Sequence, residues 1–173
     1  QKNLSEIENI KKEITDVPIN LLINNAGIFG PAEQNLETLN FNDFKDTLMV
    51  NSLSGLKITQ IIINVAKRNS LEMVVNISSD GGSIKINNQG NAYIYRTSKS
   101  ALNSITKNMS IDLFNKYKVI VFAIGPGNVK SSMNPGGMIE TTVCADLIIN
   151  LIVFHGKKLN GKFVDLLNKE IPW

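Results

Sequence analysis

Leu21-Leu22-Ile23-Asn24-Asn25-Ala26-Gly27 is an apolar run that ends in a polar, glycine-containing turn. Extended back to Ile19, it reads as a buried strand, because a short continuous aliphatic run suits a strand covered on both faces. The pattern recurs along the chain. Glu72 to Ile77 ends in Ser78-Ser79, Val119 to Ile124 leads into Gly125-Pro126-Gly127-Asn128-Val129-Lys130-Ser131, and Lys162 to Leu167 is a last run. Helical patterns lie between the strands. Leu4, Ile7, Ile10 and Ile14 recur at helical spacing before Pro18, and Asn42-Asp43 reads as the cap of a helix from about Phe44 to Arg68. A further helix carries Tyr95 and runs to about Tyr117, and another covers Thr141 to Phe154. Strands alternating with helices predict one α/β domain over residues 1–173, with a parallel sheet and right-handed crossovers.

Composition narrows the function classes. The chain has 173 residues, 43% of them hydrophobic and 19% charged, the balance of an ordinary soluble domain with a real core. Eighteen basic against fifteen acidic side chains give a net charge of +3, with no basic cluster interleaved with aromatics, so nucleic acid is not an expected partner. A single cysteine, Cys144, cannot close an internal disulfide and reads as a buried structural thiol. One histidine, His155, rules out a multi-histidine metal site and falls at a helix end beside Gly156. No apolar run looks long enough to span a membrane, the first residues lack an apolar leader region, and the expected compartment is the reducing cytosol.

The chemistry concentrates in Tyr95-Arg96-Thr97-Ser98-Lys99, where a phenol and an ammonium stand four residues apart. On a helix that spacing puts both on one face. A free tyrosine titrates near pH ~10, and a neighbouring cation lowers that value. The pair suits proton exchange with a carbonyl or alcohol oxygen. Taken alone, it equally describes a half-buried aromatic beside a solvated lysine.

Its surroundings decide. Asn24-Asn25-Ala26-Gly27, Asn51 after Leu48-Met49-Val50, Ser79 at a strand end, Tyr95-x-x-x-Lys99 and Pro126-Gly127-x-Val129 occur in this order. In these signatures the chain resembles the short-chain dehydrogenase/reductase family over essentially its whole length. Gly82-Ser83-Ile84, the run from Tyr95 to Asn103 and the final Pro172-Trp173 are similar to the C-factor and sniffer-type carbonyl reductases.

The resemblance implies a Rossmann-type doubly wound parallel sheet and NAD(P)-dependent hydride transfer between a nicotinamide cofactor and a small carbonyl or alcohol substrate. Tyr95 would be the proton donor, with its pKa lowered by Lys99, which would also bind the nicotinamide ribose. Ser79 would hold the substrate oxygen, and Asn51 would interrupt its helix and position a water that links Lys99 to solvent. Asn25, Ala26 and Gly27 would line the nicotinamide side, while Pro126, Gly127, Val129 and Ser131 would meet the carboxamide and phosphates. The loop from Ser132 to Ile139 would cover the substrate. Ser83 is the rival for the serine role, Ser79 being favoured for its place at a strand end. Ser78 is expected to satisfy backbone groups. NADP is slightly favoured over NAD, although the residue that separates them is not in the sequence.

One absence counters this reading. No Gly-x-x-x-Gly-x-Gly turn occurs anywhere in the sequence. The expectation is a fold truncated at its N-terminus, lacking the first three strands and the glycine-rich turn, with the strand at residues 19–24 left as an edge. The alternative function is therefore a non-catalytic fragment unable to hold the dinucleotide; a third is dehydration or epimerisation at the same site. A homodimer is implied by resemblance, through the helix before the second strand and the tyrosine helix. Ile61, Val65, Leu102 and Met109 on those helices suit either core or interface, and core is the reading taken.

Overall fold

Valine and isoleucine dominate the strands, where branched side chains pack well on a pleated surface. The structure, a computed structural model, describes residues 7–66 and 70–173. Strands β1 (Leu21–Asn24), β2 (Met73–Ile77), β3 (Ile120–Gly125) and β4 (Phe163–Asp165) form one parallel sheet in the order β1-β2-β3-β4. The helices are α1 (Ile10–Ile14), α2 (Phe41–Leu48), α3 (Ser54–Val65), α4 (Tyr93–Tyr117) and α5 (Thr141–His155).

Alternation along the strands sends neighbouring side chains to opposite faces. Val74 and Val121 pack with Met109 and Leu113 of α4, while Val75, Ile77, Phe122 and Ile124 pack with Leu151 and Ile152 of α5. Helices thus cover both faces, which is the doubly wound arrangement expected from the sequence. Val74, Val75, Val121, Phe122 and Ile124 are fully buried, each adding about 1.5–3 kcal/mol of hydrophobic stabilisation. Asn76 is as deeply buried, and its amide desolvation is offset by accepting from Asn24 Nδ2 and donating to Thr106 Oγ1, both at 2.8 Å. Ile61, Leu102 and Met109 are buried as the core reading expected, and Val65 is half-buried.

Among the described residues β1 pairs on one side only, with β2, and is the edge strand expected. Elsewhere boundaries move. Leu4, placed in the first helix, and Arg68, placed at the end of the second, lie outside the described residues. Asn42-Asp43 is not the cap: Asn40 is, extended at φ −98° and accepting from the amides of Asn42 and Asp43, so α2 starts at Phe41. The run Phe41–Val65 is also long and apolar enough, by length and composition, to cross a bilayer, contrary to the sequence reading. It is the crossover from β1 to β2. Ser52, Ser54 and Thr59 are buried in it and donate to the carbonyls of Ser98, Val50 and Gly55, which makes it a core helix.

Candidate active site

The carboxyl ends of β1, β2 and β3 open on one side of the sheet, the side on which such sheets bind ligands. A cleft of about 680 Å³ lies there, lined by Asn25, Gly27, Ser79, Tyr95, Lys99, Pro126, Gly127, Val129 and Ser131. Nine of the eleven residues singled out in the sequence are therefore brought together. Ala26 and Asn51 are not among its lining; they border a smaller cavity of about 280 Å³ behind it.

Ser79 lies two residues past β2 in extended backbone, and its Oγ accepts from Gly81 N at 3.1 Å, starting the 3-10 turn Asp80–Gly82. The Ser79 hydroxyl lies beside the Tyr95 ring: a Cβ on Gly81 would stand 3.3 Å from Ser79 Oγ and 3.4 Å from Tyr95 Cε1. Tyr95 and Lys99 share a face of α4 and line the same cleft, as their spacing required. Lys99 is buried, and Nζ donates to Ile77 O at 2.9 Å, the one acceptor it meets among the described residues. An ammonium carries three donors, so two remain for a ligand.

Electrostatics correct one expectation. Burial pushes the Tyr95 phenol above its ordinary value; the neighbouring Ser79 hydroxyl opposes this, and the Asp80 carboxylate adds to it. Lys99 does not acidify it here, because its ammonium is held by Ile77 O and sits 6.0 Å from the ring centre. Burial instead brings Lys99 itself down to about 8.

Asn51 sits in a π-helical turn, Met49–Leu53, so the expected interruption of the helix is present. Its amide accepts from Ile28 N at 2.8 Å and donates to Ile28 O at 2.9 Å and to Ser98 Oγ at 2.8 Å. The Ser98 hydroxyl in turn donates to Tyr95 O at 2.7 Å. Asn51 thus ties the turn after β1 to the tyrosine helix. Gly27 lies between the two groups: a Cβ there would stand 3.4 Å from Lys99 Nζ and 3.5 Å from Asn51 Oδ1, in ordinary van der Waals contact.

The rival serine is excluded from the site. Ser83 is buried and donates to Pro172 O, anchoring the C-terminal residues, while Lys85 N donates to Trp173 O and Trp173 stacks on Phe163. The Ser78 hydroxyl bonds the Asn103 side chain at 2.6 Å rather than backbone. Of the covering loop, Ser132, Met133 and Asn134 line the cleft. Cys144 lines it too, buried and with its thiol pushed up by burial, consistent with a structural residue. His155 ends α5, and no group of three metal-ligating side chains occurs among the described residues. The sequence reading missed Gln34, buried in the loop after β1, and Ser98. Only the position of Ser98 one turn from Tyr95 could have signalled the second.

Comparison with known proteins bears on this geometry. The family described as short chain dehydrogenase matches residues 3–137. C-signal of Myxococcus xanthus is 33% identical over 159 residues, covering 90% of this chain and 93% of that protein. An uncharacterized oxidoreductase of Thermotoga maritima is 29% identical, and there the match takes in 50% of the relative. Among solved structures, the carbonyl reductase Sniffer of D. melanogaster superposes with TM-score 0.85 at 27% identity, covering 99% of this chain and 75% of that one. The NADPH-bound carbonyl reductase from chicken fatty liver superposes with TM-score 0.82 at 26% identity, covering 99% and 74%.

Proposed function

The chain belongs to the short chain dehydrogenase family, and from that premise we propose an NAD(P)-dependent oxidoreductase that reduces an aldehyde, ketone or quinone. One observation carries the reading: Ser79, Tyr95 and Lys99, from two different elements, converge on one cleft with Ser79 beside the tyrosine ring. In reduction the carbonyl carbon gains hydride and its oxygen gains the Tyr95 proton. Ser79 orients that oxygen, and a hydroxyl there stabilises the charge it acquires. A phenol held protonated by burial suits the reductive direction.

The residues fit the nicotinamide-ribose half of the cofactor, which supplies the hydride when bound. Lys99 has donors to spare, Gly27 lines the cleft beside it, and Gly127 is open on its side-chain face. Asn51 Oδ1 and Lys99 Nζ both lie next to Gly27, which supports a water-mediated link between them. The sequence contains no glycine-rich turn for the pyrophosphate. We assign NADP rather than NAD on the likeness to the NADPH-bound chicken enzyme, and the cytosol as the place of action. Pairing of two copies through α3 and α4 would use Leu56, Ile111 and Phe114, which are exposed, since Ile61, Leu102 and Met109 lie in the core.

Titration of NADPH and NADH fluorescence against the chain, then turnover of a dicarbonyl, tests the reading. Binding and stoichiometric cofactor consumption are expected, with Tyr95→Phe lowering turnover roughly 10²–10⁴-fold at near-constant dinucleotide affinity. No binding of either dinucleotide at millimolar concentration sinks the enzyme reading. It would favour the second reading, a non-catalytic chain that acts by pairing, which is motivated by the one-sided pairing of β1.

A further inference from the structure

Gln34 lies between β1 and α2, is 3% exposed, and joins two separate segments through one side chain. Its Nε2 donates to Phe29 O and Pro31 O, each at 2.9 Å. Its Oε1 accepts from Tyr95 N at 2.8 Å, and its backbone carbonyl accepts from Tyr93 N at 3.3 Å. These are first-turn amides of α4, the groups a helix leaves without internal partners. The helix has no cap of its own: Asn91 and Ala92 are left-handed, at φ 55° and 47°, and Ala92 offers no side-chain acceptor. Gln34 supplies from another loop what a capping Ser or Asp ordinarily supplies from the adjacent residue.

The same amide fixes Phe29, whose ring centre lies 4.9 Å from that of Tyr95. Lys99, one turn further along, is anchored independently by Ile77 O. Loss of Gln34 therefore acts on the phenol and spares the ammonium.

We propose that Gln34 is a positioning residue for Tyr95, locking the first turn of α4 to the loop after β1 so that the Phe29 and Tyr95 rings form one fixed wall of the cleft. The inference rests on the reading of Tyr95 as proton donor. Gln34→Met removes the polar anchors at similar length. Gln34→Glu keeps the volume and the acceptor for Tyr95 N, but sets a carboxylate against two carbonyls. Phenol ionisation is followed by ultraviolet difference absorbance with Tyr95→Phe as the blank, which leaves Tyr93 and Tyr117 to subtract. Burial is what holds the Tyr95 titration up, so an opened wall brings it down toward the ordinary value in Gln34→Met, whereas the added carboxylate of Gln34→Glu opposes that fall and its readout is the kinetic one. With a dicarbonyl substrate, kcat falls roughly 10- to 100-fold, while NADPH affinity by fluorescence stays within about threefold. An unshifted Tyr95 titration in Gln34→Met with native circular dichroism overturns the proposal. Should Gln34→Met not fold, Gln34→Glu decides by the kinetics: kcat that stays at the wild-type value in a natively folded variant overturns the proposal. If the wild-type chain turns nothing over, the enzyme reading fails, and the titration still decides whether Gln34 positions Tyr95.

Discussion

Gly82 lies against the backbone of Lys99: a methyl carbon on its Cα would stand 2.8 Å from the Lys99 carbonyl carbon and 2.9 Å from its Cβ and oxygen. Backbone cannot swing aside as a flexible side chain can. The Gly82 carbonyl also accepts from Ser100 Oγ and Asn103 Nδ2, stitching the turn after β2 to α4. Gly82→Ala is expected to destabilise the fold by about 1–3 kcal/mol and to lower turnover with it, because the turn sets the distance between Ser79 and the tyrosine helix. Urea unfolding of the two proteins checks this, and an unchanged midpoint counts against the close approach.

The two serines make opposite predictions. Ser79 lines the cleft beside Tyr95, whereas Ser83 is committed to Pro172 O at the far side of the turn. Ser79→Ala is expected to lower turnover roughly 10²- to 10³-fold with little change in stability. Ser83→Ala should keep turnover and lose about 1 kcal/mol, since it strands the half-buried carbonyl of Pro172. Steady-state kinetics beside thermal unfolding separate the two, and the reverse pattern would exchange their roles.

What could be read from the sequence follows from what is local. The strands were legible because Val74-Val75 and Val121-Phe122 are continuous apolar runs covered on both sheet faces. The Tyr95 and Lys99 pairing was legible because helical spacing alone aligns the two. The cap of α2 was misjudged by position, as Asn40 and Asn42 are the same residue type and only backbone dihedrals choose between them. Gln34 was illegible: it acts on Tyr95 from 61 positions away, and neither spacing nor periodicity encodes such a contact. Direction of the tyrosine shift was likewise out of reach, since burial outweighs a neighbouring charge only once the cleft walls are known.

Asn51 is a second long-range tie, and its loss has a calculable sign. Asn51→Ala would leave Ile28 N and Ile28 O without their partner and take a donor from Ser98 Oγ. Unpaired buried groups cost about 1–3 kcal/mol, so a loss of roughly 2 kcal/mol is expected. The turn carrying Gly27 should loosen, raising the Kd for NADPH more than it lowers kcat. Fluorescence titration beside urea unfolding reads both, and a variant as stable as wild type would show the tie to be idle.

Lys99 offers a test in which pH sets the sign. Burial holds its ammonium down to about 8 in the folded chain, against about 10.4 when unfolded. The unfolded state therefore binds the extra proton between those values, and stability rises with pH across that window. Below pH 8 the penalty of burying the charge is carried in full, at most about 3 kcal/mol. Lys99→Met removes it, so the variant should be inactive yet more stable than wild type at pH 7. By pH 10 the wild-type lysine is mostly neutral in the folded state and keeps its hydrogen bond to Ile77 O, which methionine cannot make. The stability advantage should then shrink or reverse. Other groups that titrate in this range are common to both proteins and cancel in the difference between their urea midpoints. A difference that is the same at pH 7 and pH 10 would mean that the buried ammonium carries no desolvation penalty.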